Sequence, residues 1–156
     1  MLKQFVQIVS LTLIALVAGS VFGIWRGYNP ESLSASAFVE MHQNAVRGLN
    51  VLMPVLGGLA MAFTLLSAYL QRDDRYVSYT LLVAVLLMVV SMFVTRLGNQ
   101  PINAEVMTWN PQSPPADWQQ LRDKWWNFHL IRTASSVLAL VIMVYSVVQK
   151  GSMDEQ

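Results

Sequence analysis

Two histidines and a group of arginines, asparagines and tryptophans stand at spacings suited to chemistry on an oxygen-bearing organic molecule. The sharpest set is Trp118, Arg122, Trp125, His129 and Arg132. On a helix, at about 100° per residue, these five fall within about 80° of one another. Ser136 continues the line. An imidazole moves protons near neutral pH. A guanidinium holds a developing oxyanion, and indole rings stack on flat aromatics. An interfacial belt of Trp and snorkelling Arg is the plainer reading, but a belt does not require its members to share one face. A second set comes earlier in the chain: Gln43, Arg47 and Asn50 share a helical face, with His42 on its edge and Glu40 placed to pair with Arg47 or Asn44. A third is Arg96-Leu-Gly-Asn-Gln-Pro-Ile-Asn103, in which Asn99 and Asn103 flank a proline. Their amides either satisfy helix ends and turns or point at a ligand oxygen.

The candidate catalytic groups are therefore His129, His42 and Arg132. The candidate binding groups are Gln43, Arg47, Asn50, Asn99, Asn103, Trp109, Trp118, Arg122 and Trp125. No HxxxH or ExxH pair and no cysteine occurs, so no metal site and no cofactor is expected. Two alternatives stay open: His42 and His129 clasping a haem iron from opposite sides, or another metal that would need Glu40. Nothing resembles a phosphate-binding glycine loop or a dinucleotide fingerprint, and no Ser-His-Asp spacing is suggested.

The elements that must position these residues are four long runs without Asp, Glu, Lys or Arg: Phe5–Trp25, Gly48–Gln71, Tyr76–Thr95 and Thr133–Gln149. About 20 apolar residues at 1.5 Å rise span a bilayer core, so the pattern predicts an all-α, antiparallel four-helix transmembrane bundle. Two of the helices should extend beyond the bilayer. Helix 1 is expected over about residues 4–26, with Gly19 and Gly23 as a small-residue pair for close packing. Helix 2 is expected from about Ser36 to Leu70, capped by one of Ser32, Ser34 or Ser36 and kinked near mid-membrane by Pro54 and Gly57-Gly58. Helix 3 should run from Tyr76 to Leu97 and end at Gly98. A proline-rich loop over 99–116 should cap the bundle. Helix 4 should begin near Pro115–Trp118, with Pro115 in its first turn, and end near Gln149. Residues 1–149 make one domain, and 150–156 a disordered tail.

Four crossings put both termini on one side. The other side then collects both histidines, all five tryptophans and most arginines. Apolar residues make up 54% and charged ones 12%, against about 25% charged in soluble domains, which makes lipid the expected solvent. The net charge of +1 argues against a nucleic-acid partner. The first apolar run is longer than the core of a signal peptide, so it is read as a retained helix. Six Lys and Arg fall on the histidine side and four on the side of the termini. Arg47, Arg96 and Arg132 are candidate site residues rather than topological signals. Lys3 and the basic 72–75 turn then favour cytoplasmic termini in the cell membrane.

Taken in order, several segments resemble one family. Phe38-Val-Glu-Met-His-Gln-Asn-Ala-Val-Arg-Gly-Leu-Asn50 opens a membrane helix. Asn99-x-Pro-x-Asn103 follows, then Trp109, Pro114-Pro115 and Asp117-Trp118-x3-Arg122-x2-Trp125-x3-His129-x2-Arg132. This set is similar to that of the anthrone-oxygenase-like small four-helix membrane proteins, over roughly residues 1–148. The resemblance implies the bundle fold. It also implies oxidation by O₂ of an activated methylene to a quinone carbonyl, with no added metal or flavin. The expected partners are the bilayer and a membrane-soluble aromatic, polyketide or quinone-like molecule. A non-catalytic accessory subunit or binder in a homo-oligomer or membrane complex is the rival reading, and fold alone does not choose between them.

Overall fold

The computed structural model describes the backbone of residues 1–154 and side chains through Gln149. All regular structure among the described residues is helical: α1 (Leu2–Gly27), a 3-10 turn (Pro30–Ser32), α2 (Ala35–Leu49), α3 (Leu52–Leu70), α4 (Arg75–Val94), a π-turn (Thr95–Asn99), α5 (Gln100–Val106) and α6 (Trp118–Asp154). The tail expected to be disordered, 150–156, lies beyond the residues with described side chains.

Four helical stretches are long and apolar enough to cross a membrane: Leu2–Ser32, Leu52–Leu70, Arg75–Val106 and Trp118–Gln149. They form a four-membered ring, with α1 packed on α3 and α6, and α4 packed on the same two. Leucines, valines and aromatics such as Leu16, Leu59, Leu86, Val141 and Phe93 point outward. In water that surface would be untenable; in lipid it is expected. The chain is a multi-pass membrane protein.

Local chemistry sets the helix starts. The Ser34 side chain accepts from the Ala37 amide and caps α2. Asp74 does the same for α4 through Val77. The turn between α3 and α4 is as short as the hydrophilic run 71–75 suggests.

Three expectations need correction. Helix 2 is two helices, not one kinked helix, and the break lies at Asn50–Val51, above Gly57-Gly58. Pro54 has no amide to give the Asn50 carbonyl, and its ring would crowd that oxygen in a continuous helix. The chain parts there, and Pro54 falls in the first turn of α3. Likewise, Gly98 does not end helix 3. The helix widens into the π-turn, where the Gln100 amide donates to the Thr95 carbonyl five residues back. It then continues as α5 with Pro101 in its first turn, so the true loop is only 107–117. Gly98 is small for another reason: a β-carbon there would lie 2.6 Å from Phe128 Cγ. Thirdly, Gly19 and Gly23 face outward, and a β-carbon at either meets nothing within 4 Å. A smaller difference is that Pro115 precedes α6, its carbonyl accepting from the Trp118 amide.

Two apolar cores result. One is within the spans, built on Ile14, Ala60, Leu81, Ala84, Met88, Ala139 and Met143. The other is a cap of Phe38, Val39, Ile102, Val106, Trp109 and Trp125. The space between them holds the site.

Candidate functional site: an arginine between two chambers

α2 lies outside the four spans and packs on α5. That contact brings His42 and Asn103 together, and α6 brings Trp125 to both. Asn103 Oδ1 accepts from Trp125 Nε1 at 2.8 Å and stands 3.0 Å from His42 Nε2. An indole N–H only donates, so the Asn103 atom is the oxygen. His42 must then carry its proton on Nε2, which leaves Nδ1 with a lone pair. His42 is 2% exposed. Burial pushes its pKa down to about 4; the Asn103 hydrogen bond opposes this and the Arg132 charge adds to it. The ring is therefore neutral at physiological pH.

On α6, the His129 imidazole stacks on Trp125, with planes 5° apart and centroids at 5.1 Å. Trp126 stacks on it as well. Both His129 nitrogens are engaged. Arg132 Nε and Nη2 approach Nδ1 at 3.0 and 2.8 Å, and Nε2 donates to the Val21 carbonyl at 3.1 Å. A guanidinium only donates, so Nδ1 is an acceptor and Nε2 bears the proton. His129 thus holds Arg132 and has no lone pair left for substrate.

Arg132 sits at the head of the uncharged run of α6. The ion pairs among the described residues are Lys3–Asp73 and Arg122–Asp123, so Arg132 has no carboxylate partner. Arg132 lines two cavities. The outer one, about 310 Å³, is walled by Tyr28, His42, Asn44, Asn50, Gln100, Asn103, Trp125 and apolar neighbours. The inner one, about 440 Å³, runs down between the spans along Ile14, Gly57, Gly58, Met61, Met88 and Met92. Val21, Met53, Pro54, Thr95, Gln100 and Arg132 wall both.

Of the twelve residues singled out from the sequence, His42, Asn50, Asn103, Trp125 and Arg132 reach this cavity wall. The structure does not bring the other seven to it. Gln43 gives both Nε2 hydrogens to the carbonyls of Val106 and Trp109, fastening the end of α5. Arg47 is exposed and reaches Gln43 Oε1 at 3.4 Å rather than Glu40. Asn99 is fully buried and donates to the Trp125 carbonyl. Trp109 belongs to the cap core. Trp118 packs on Phe38, and Arg122 lies over Trp118 while pairing with Asp123. His129 stands one layer behind the wall.

Tyr28 and Gln100 are among the wall residues not singled out from the sequence. Tyr28 reads as part of a turn, yet its hydroxyl is buried without a hydrogen-bond partner. Gln100 lies one helical turn before Asn103, a relationship visible only once 95–106 is read as helix.

For the bis-histidine haem alternative, Trp125 packs against both imidazoles, 4.9 Å from His42 and 5.1 Å from His129, centroid to centroid, and both His129 nitrogens are engaged within the chain, so His129 would have to give up a partner to ligate iron. Among the described residues no group of three or more His, Cys, Asp or Glu is placed to bind a metal.

Fold and site together define a multi-pass, four-helix membrane protein with a cavity at one end of its spans, polar at the mouth and apolar below. The family model for anthrone oxygenase matches residues 42–142, more than half the chain, and the protein belongs to that family. The matched segment contains every polar residue of the cavity wall except Tyr28. Comparison with curated proteins and with solved structures gives no match.

Proposed function

We propose that the protein oxidises a membrane-soluble aromatic ketone or polyketide with O₂, at a methylene activated by a neighbouring carbonyl. The observation that carries this reading is Arg132: a guanidinium at membrane depth, without a carboxylate partner, held in place by a neutral histidine and facing a cavity. Burying such a charge costs several kcal/mol, and an enolate oxygen offsets that cost where a neutral ligand does not. The ketone oxygen sits at Arg132, with the Tyr28 hydroxyl as a further donor. Its rings lie against Trp125.

His42 Nδ1 takes a proton from the methylene, and the electron pair spreads onto the oxygen at Arg132. A neutral imidazole with a depressed pKa is a weak base, so Arg132 must lower the acidity barrier by stabilising the enolate. The carbanion passes an electron to O₂, and the two radicals combine to a carbon-bound peroxide. The proton on His42 returns to the peroxide. Loss of the remaining C–H proton with cleavage of the O–O bond gives the carbonyl and water. One O₂ is consumed per methylene, with one oxygen atom in the product and one in water. Asn103 fixes the His42 tautomer and His129 fixes Arg132. We also assign the termini to the cytoplasmic side of the cell membrane, on the strength of Lys3 and the Arg72–Arg75 turn.

The test is oxygen uptake by the purified protein in lipid nanodiscs with 1,8-dihydroxyanthrone, followed together with quinone absorbance. Uptake equal to quinone formed, and lost in His42→Ala and Arg132→Gln, is expected. Binding of the anthrone with oxygen uptake no faster than in empty nanodiscs would overturn catalysis and leave a binding protein.

A further inference from the structure

The inner chamber has no part in the chemistry above, yet it is the larger of the two cavities. Its polarity is one-sided. At its upper end stand Arg132, Arg96 and Gln100. Below them the hydroxyls in the wall are already used within the protein. Ser136 Oγ lies 2.9 Å from Ser91 Oγ, Ser91 Oγ donates to the Arg132 carbonyl, and Thr95 Oγ1 donates to the Ser91 carbonyl. What remains for a ligand is hydrocarbon and thioether. The wall runs from Met53 to Met61 on α3 and from Arg96 in the π-turn to Met88 on α4. Eight residues at 1.5 Å rise make it about 12 Å deep. Methionines line it, and their flexible stems adapt to a ligand of variable shape.

Gly57 and Gly58 keep this chamber open. A β-carbon at either would meet no atom within 4 Å. Their lack of side chains therefore serves no close helix contact inside this chain; it leaves volume beside α3. Gly costs a helix about 1 kcal/mol relative to Ala, and unlike Gly19 and Gly23 these two glycines line a cavity.

We propose that the inner chamber receives an aliphatic chain attached to the aromatic head, so that the substrate is an amphiphile: a hydroxylated aromatic ketone carrying an alkyl or isoprenoid tail. The proposal rests on the reading that an aromatic head binds at Arg132. The chain comes from lipid, not from water, so the chamber gains little hydrophobic affinity from it. Its effect is selection by shape: a head bound at Arg132 projects its substituent downward, and only a chamber of this depth admits a long one. Gly57 and Gly58 are then the specificity-determining positions.

The experiment compares two probes in nanodiscs, 1,8-dihydroxyanthrone and the same ring bearing a straight octyl chain. Binding is read by quenching of tryptophan fluorescence, and turnover separately by oxygen uptake. Gly57→Leu and Gly58→Leu place a side chain in open space on a residue that favours helix, so both variants should fold, as checked by their melting temperatures. A leucine competing with the chain should lower the octyl-to-plain affinity ratio about tenfold or more. A ratio unmoved by both variants overturns the assignment, and shows that the chamber holds a lipid acyl chain or nothing that is joined to the head. The two readings fail separately. A shifted ratio without oxygen uptake sinks the oxygenase and keeps the chamber; oxygen uptake with an unmoved ratio does the reverse.

Discussion

Arg132 donates to His129 through two nitrogens, with Nε at 3.0 Å and Nη2 at 2.8 Å from Nδ1. The pair are three residues apart, one turn of α6, and the imidazole is itself fixed by Val21 on α1 and by the flanking tryptophans. The guanidinium is thus pre-set before any ligand arrives, which is how an oxyanion-binding group becomes effective.

Arg132→Gln should lower the oxidation rate by about 100-fold or more, and Arg132→Lys should not restore it. An ammonium is a compact point charge that lacks the planar fork able to touch Nδ1 and a ligand oxygen together. His129→Phe keeps the stacking on Trp125 and removes the acceptor. Its rate should fall roughly tenfold or more, because a small displacement of a reacting group is costly. Oxygen uptake checks all three. A His129→Phe protein with wild-type turnover would show that the pair does not position Arg132.

Asn103 is a shared acceptor for His42 and Trp125. Asn103→Leu leaves two donors unpaired, each costing about 1–3 kcal/mol when buried. The melting temperature should therefore drop by several degrees. Asn103→Asp keeps an acceptor and should fall less. Differential scanning fluorimetry of the three proteins gives the order, which should be wild type, Asp, Leu.

His42 sets the acid limb. Its pKa is about 4 in the fold against 6.5 for the free side chain. Between those values the unfolded chain binds more protons than the folded one, so stability rises with pH across that window and is lost as pH falls through it. The full loss is about 3 kcal/mol. Thermal melts from pH 7 to pH 4 should show it, and His42→Phe should flatten that part of the slope. Oxidation should be insensitive to His42 protonation above about pH 5 and fall below it. A rate that instead tracks a pKa near 6.5 would mean His42 is not the buried base.

Gly98 is replaceable only if Phe128 gives way. Gly98→Ala drives a β-carbon to 2.6 Å from the ring, and overpacking of that kind costs about 1–3 kcal/mol. Phe128→Leu in the same chain should recover part of the loss. Equal melting temperatures for Gly98→Ala and wild type would show that the ring moves freely.

The four spans are legible in the sequence because an uncharged run of bilayer length is rare in a chain that folds in water. The α6 stripe is legible because one face of one helix is a local property. Residues on α2 and α5 are harder. A helical wheel sets Gln43 and Arg47 beside Asn50, but which face meets the cavity depends on how α2 docks on α5, and sequence spacing does not carry that. His129 reads as a base from its residue type. Only the contacts with Arg132, one turn along the same helix, and with Val21 on α1 reveal that both its nitrogens are taken. Asn99 and Asn103 read as loop residues because a Gly98 and a Pro101 commonly end a helix, and the π-turn that carries the helix past them has no sequence signature of comparable strength.

That π-turn makes the site tolerant of a change in residue count at one place and not at the next. A π-turn is a helix holding one residue more than its length requires, so the five residues Thr95–Asn99 sweep about the angle that four sweep in an α-helix. Deleting one of them lets the turn tighten to α-helix and leaves Asn103 facing His42 and Trp125. Deleting one between Gln100 and Asn103, where each residue advances the helix by about 100°, swings Asn103 away from both, although every other side chain of the site is still present. A family member with a regular helix in place of the π-turn keeps the same acceptor for its histidine.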